Sequence, residues 1–134
     1  MSKRVLDVGQ CGPDHAAIRR YLTRHFECEV VQADGLEDTL AHLKNGRFDL
    51  VLVNRKLDAD YSDGVEVIRQ IKSDLATADV PAMLVTNYPE HQDAAVAAGA
   101  VRGFGKLEFD KDQTREKIAA ALGFIKGDMS NSSA

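Results

Sequence analysis

Apolar positions along the chain form two alternating kinds of pattern. Leu50-Val51-Leu52-Val53 is a continuous apolar run between polar flanks. Such a run suits a strand covered on both faces, since neither alternating set of side chains meets water. Val5 to Val8 (interrupted by Asp7), Val30-Val31, Ala82 to Thr86 and the glycine-rich Val101 to Gly105 read as further strands. Between them, apolar residues recur at helical spacing. Ile18, Tyr21, Leu22 and Phe26 follow Pro13, and Leu36, Leu40 and Leu43 precede Asn45-Gly46. Val65, Val67, Ile68 and Ile71 mark a third helix ending near Ser73-Asp74. The alanine-rich segment Glu90 to Ala98 is a fourth, and Asp110 to Leu122, with Ile118, Ala121 and Leu122 inward, is a fifth. Five strands alternating with five helices through short connections predict an α/β fold, with helices on both faces of a parallel sheet. Right-handed crossovers leave few topologies open. Residues 1–125 are expected to form one domain and residues 126–134 a disordered polar tail.

Composition narrows the function classes. A net charge of -4, with both signs spread along the chain, lacks the electrostatic footprint of a nucleic-acid binder. No run reaches the roughly 18 apolar residues of a membrane span. The start, MSKRVLDVGQ, has no apolar stretch leading to a cleavage site, so a cytoplasmic location is expected. Cys11 follows the first strand and Cys28 begins the second, at opposite ends of a parallel pair, which predicts two free thiols.

Candidate chemistry centres on Asn54. In an open parallel sheet, ligands sit just beyond the carboxyl ends of the strands, and Asn54 stands there, followed by a charged loop to Gly64. Asp58, Asp60 and Ser62 imitate the start of a calcium loop, but Asp63 replaces the required glycine and Arg69 stands at the distal ligand position. The four histidines, His15, His25, His42 and His91, show no metal spacing. Ser62, Ser73 and Thr86 have no evident His-Asp partner. No catalytic residue, metal or cofactor is expected. The first loop, GQCGPDH, lacks the G-x-G-x-x-G pattern, which counts against a flavodoxin-like binder of a small ligand. Asp7 falls inside a central strand, where a carboxylate must be paired or protonated.

The order and spacing of these segments resemble the receiver domain of bacterial two-component response regulators, from Lys3 to about Leu122. KRVLDVGQ, FDLVLVN, DGVEVIRQIK, VPAMLVTN and AGAVRGFGK carry the resemblance. It implies a flavodoxin-like (βα)5 three-layer sandwich with strand order 2-1-3-4-5. It also implies a phospho-acceptor aspartate ending the third strand, an acid pair that helps hold Mg²⁺, and a threonine and lysine that contact phosphoryl oxygens. Those positions here are Asn54, Gly9 with Gln10, Thr86 and Lys106. The phosphate-contacting pair persists while all three carboxylates are missing, which predicts a pseudo-receiver acting by protein–protein contact, with no enzymatic activity. Leu107 stands where the family has proline, and the family's switch aromatic falls on Gly103, one place before Phe104. Asp7 is a candidate compensating acid, most simply hydrogen-bonded to Lys106 or Asn54; a receiver phosphorylated through this displaced acid is the rival reading. The family's surface of helix four, strand five and helix five would here carry Tyr88, His91, Ala94, Ala95 and Phe104, for an unidentified signalling partner or a homodimer.

Overall fold

The sheet is built outward from the apolar run at its centre. The computed structural model describes residues 2–124, so the expected tail at 126–134 lies outside the described residues. Strand β3 spans Leu50–Asn54, with β1 (Lys3–Val8) on one side and β4 (Ala82–Val85) on the other. Strand β2 (Cys28–Ala33) forms the edge beyond β1, and all pairings are parallel in the order β2-β1-β3-β4. Val8 pairs with Val53, so Gly9 and Asn54 leave the sheet side by side at its carboxyl end. The helices are α1 (Gly12–His25), α2 (Leu36–Asn45), α3 (Gly64–Ser73), α4 (Pro89–Ala97) and α5 (Asp112–Ala121). Ile18, Tyr21, Leu22, Ile118 and Leu122 cover one face with Leu50 and Leu52, while Leu43, Val67, Ile68, Ile71 and Ala95 cover the other with Val51 and Val53. Pleat alternation divides the continuous run at 50–53 between the two layers, as a doubly covered strand requires. No helix among the described residues is long and apolar enough to cross a membrane. Both cysteines are free.

The fifth strand expected over Val101–Gly105 does not form as a ladder. Val101 N donates to Ala82 O at 2.9 Å and Thr86 N to Phe104 O at 3.0 Å, and Phe104 bridges Val85 alone. In parallel pairing the first bond sets Val101 opposite Met83 and the second sets Phe104 opposite Val85. Three residues advance on one side against two on the other, which is the signature of a bulge. Gly103 occupies it: a Cβ there would lie 2.3 Å from Leu84 O. The Gln92 side chain from α4 fills the gap. Its Oε1 accepts from Gly103 N at 2.8 Å, and its Nε2 donates to Leu84 O at 3.0 Å and Thr86 O at 3.2 Å. The extra residue turns Phe104 into the core beside Phe109, at 1% exposure. A short 3-10 turn, Lys106–Glu108, then replaces the lysine-proline step and leaves Leu107 exposed.

Removing the buried Gln92 amide leaves the Gly103 N–H and the Leu84 carbonyl without partners. Gln92→Ala is therefore expected to cost on the order of 2–4 kcal/mol by urea denaturation, well above a surface change. A loss under about 1 kcal/mol would show that the bulge does not need the clamp.

Candidate functional site

Asn54 closes β3 with its carboxamide held on both sides. Its Nδ2 donates to Lys56 O at 2.8 Å and, more weakly, to Gly9 O at 3.4 Å, while Oδ1 faces Lys106 Nζ at 3.4 Å. Two carbonyls on one side and an ammonium on the other fix the orientation of the amide. A carboxylate at this position has no donor to offer those carbonyls. Asn54 therefore ties the end of β1 to the loop after β3.

The position beside it is filled by carbon. Gly9 has φ +79, and a Cβ built there would lie 2.2 Å from Cδ2 of Leu57, a fully buried side chain. Asp58 N donates to Gly9 O at 2.9 Å, and Leu57 N to Ser62 O at 2.9 Å, so the loop folds back over the end of β1. Gln10 is buried, and neither of its amide atoms has a hydrogen-bond partner. The residues do not fit a Mg²⁺ site: Gly9 has no ligand atom, Leu57 occupies the space above it, and the Asn54 amide turns its donors toward the loop. Mg²⁺ demands near-ideal octahedral oxygen geometry, which this set does not supply. Among the described residues no group of three or more His, Cys, Asp or Glu is arranged to hold a metal.

Lys106 finds its counter-charge in a residue that the sequence did not single out. Its Nζ sits 2.7 Å from Asp14 Oδ2, in the first turn of α1. That bond is the main cause of the lowered Asp14 carboxyl pKa. Thr86 is buried, and its hydroxyl accepts the Tyr88 N–H at 3.3 Å. Lys106, Asn54 and Asp14 thus meet in one cleft, and Thr86 directly follows β4, whose Val85 pairs with Asn54. Helical position alone could have pointed to Asp14, because α1 begins directly after the loop that leaves β1.

Asp7 is fully buried, and its partner is neither Lys106 nor Asn54. His15 Nδ1 and Asp7 Oδ2 are hydrogen-bonded at 2.7 Å, while Asp7 Oδ1 has no hydrogen-bond partner. The expectation failed because Lys106 is drawn to the more exposed Asp14, and the first turn of α1 sets an imidazole directly over the strand. Burial raises the Asp7 carboxyl to about 6; His15 opposes the rise by hydrogen bond and charge, and the more distant Lys106 charge adds a smaller contribution.

The expected partner surface is divided. Tyr88 is 59% exposed and packs edge-on against His91, which is half-buried. Ala95 and Phe104 lie in the core at 0% and 1% exposure, so neither lines a surface. The periodicity of α4 places Ala95 against the sheet, and the bulge turns Phe104 inward. Ala94, Val96 and Val101 are exposed in this region, as is Leu107 at 78%.

Two outcomes follow from this geometry. Asn54→Asp sets a carboxylate against two carbonyl oxygens and should destabilise the chain by about 1–3 kcal/mol in urea at neutral pH. An unchanged midpoint would mean that the amide bonds carry no weight. Asp7 titrates near 6 when folded against an ordinary 3.8, so the folded chain holds the extra proton between those values. Its contribution to stability is greatest below about pH 4 and is lost as pH rises through 6. The stability difference between the native chain and Asp7→Asn should change by on the order of 2–3 kcal/mol across that window, and a flat difference would refute the assignment.

A model of the response regulator receiver domain matches residues 13–121. That match begins beyond β1, past Gly9 and Gln10. No curated protein sequence matches the chain. Among solved structures, the signal receiver domain of a DNA-binding response regulator from Colwellia psychrerythraea 34H superposes with TM-score 0.74 at 21% identity, over 90% of this chain and 98% of that one. The N-terminal signal receiver domain of a two-component response regulator from Bacteroides fragilis gives 0.73 at 20%, over 93% and 100%. The receiver domain of the sensor histidine kinase PA1611 from Pseudomonas aeruginosa PAO1, with a magnesium ion coordinated in its active-site cleft, gives 0.73 at 16%, over 92% and 99%. At these identities the structures establish the flavodoxin-like receiver fold, and the model match places the sequence within it: this chain belongs to the response regulator receiver domain family.

Proposed function

We propose that this chain is a pseudo-receiver, signalling by protein–protein contact without aspartyl phosphorylation. The observation that carries the reading is the Asn54 amide, whose donors tie Gly9 to Lys56 at the position where a receiver's chemistry requires an acceptor carboxylate. Leu57 over Gly9 supports it by filling the space beside that position. In this reading the chain is not an enzyme and needs no cofactor, metal, nucleic acid or membrane, and its setting is the cytoplasm. Its partner is another signalling protein or a second copy, engaged through the exposed residues around α4, chiefly Tyr88 and His91.

One rival keeps a specific observation in its favour. A phosphoryl group taken by a displaced acid would now fall on Asp14, whose carboxylate stands beside Lys106. Asp7 is a poor acceptor, being fully buried with one oxygen engaged by His15. Incubation with Mg²⁺ and acetyl phosphate separates the readings by intact mass. The native chain and Asn54→Asp are both expected to stay unmodified, the second because Lys106 already engages the neighbouring Asp14 carboxylate and Leu57 fills the space at Gly9, which leaves too few oxygens for octahedral Mg²⁺. A base-labile phosphoryl adduct mapped to Asp14 or any other aspartate would sink the proposal.

A further inference from the structure

Helix α4 is anchored differently from its neighbour α3. Between Pro89 and Ala97 it buries Gln92 and Ala95, whereas α3 buries Val65, Val67, Ile68 and Ile71. A methyl group and a carboxamide therefore provide its side-chain hold on the sheet, and most of the specificity lies with the carboxamide. Three backbone groups meet on that amide: Leu84 O in β4, Thr86 O just beyond it, and Gly103 N in the bulged segment leading to Lys106. Lys106 faces Asn54 in the cleft, Thr86 follows Val85, the partner of Asn54 in the sheet, and the helix carrying Gln92 presents Tyr88 at its N-cap and exposed Ala94 and Val96 beyond it.

We propose that Gln92 is the positioning residue that couples the cleft around Asn54 to the α4 surface. Its amide is planar and buried, and each of its three bonds ends on main chain. A shift of α4 must either carry Gly103 and Thr86 with it or leave buried polar groups unpaired, a costly alternative in a low-dielectric interior. Conversely, a change at Lys106 reaches Gly103 through two intervening residues and reaches α4 through Gln92 Oε1. The bulge makes the link necessary, because the extra residue frees the Gly103 N–H from a regular ladder with β4. The inference relies on the pseudo-receiver reading only for regarding α4 as a partner surface; the coupling stands or falls separately from any phosphodonor result.

The test uses the full chain and two-dimensional ¹H–¹⁵N NMR, with Lys106→Met as the perturbation in the cleft. In the native background this change is expected to move the Gln92 side-chain NH₂ resonances and the backbone amides at 93–97. In a Gln92→Met background, which nearly conserves side-chain volume, the response at 93–97 should be lost. Shifts at Asp14 and Asn54 should remain there, since those residues contact position 106 directly. Equal α4 responses in the two backgrounds would overturn the coupling. If Gln92→Met does not fold, the native background decides: an unmoved Gln92 NH₂ pair refutes the link, and a pair that moves together with 93–97 supports it.

Discussion

Burying a carboxylate in the middle of β1 constrains much of what lies above it. Asp7 has no solvent access, so it requires a partner from the layer packed against the sheet, and His15 supplies one from the first turn of α1. That bond sets the depth and rotation of the helix start. Asp14, the preceding residue, is then carried to the cleft, where it meets Lys106 arriving from the far edge of the sheet. A desolvated acid thus organises a half-exposed ion pair two elements away. The energies are of different kinds: the buried contact is strongly weighted by the missing solvent, while the exposed one is screened and worth less.

The other half of the cleft is shaped by an insertion rather than a charge. Adding one residue opposite Leu84 breaks the ladder that would have made a fifth strand, and Phe104 beyond it lies in the core. The freed N–H is not left bare, since buried main-chain donors almost always find partners. Here the partner is a side chain on α4, so the repair of a local defect also decides how that helix is held. Ala95 already packs α4 against the sheet, and the Gln92 amide ties the helix to the bulged segment as well.

These two devices meet around Asn54. A receiver cleft that carries out phosphoryl chemistry has to hold like charges together and leave room for a metal. In this chain the like charges are gone, and the volume is taken up by Leu57 and by an amide that braces the loop. Lys106 is faced by Asp14 and Asn54 instead. Beside these satisfied groups, the buried Gln10 amide and one Asp7 oxygen stay without hydrogen-bond partners.

What the sequence determined by itself is what periodicity and residue type can report. The doubly apolar run at 50–53, the helical spacings and the short connections settled the parallel sheet, its helix layers and the two free cysteines. The residue types at 9, 10 and 54 settled that no carboxylate stands there. Only the tertiary structure decided how polar groups pair. Lys106 and Asp14 are 92 residues apart, and their meeting depends on how far α1 leans over the sheet, which no local pattern encodes. The sequence pointed Asp7 to Lys106 or Asn54, and only the placement of α1 set His15 against it. The loss of the fifth strand was hidden for a related reason. A glycine-rich segment has weak side-chain preferences, so its register is chosen by what packs against it, and Gln92 is unremarkable as a lone glutamine on an alanine-rich helix. Ala95 and Phe104 followed the same rule, with burial assigned by the turn of α4 and by the bulge. Apolar pattern reports which residues leave water, whereas hydrogen-bond partners are selected afterwards by the geometry that burial leaves available.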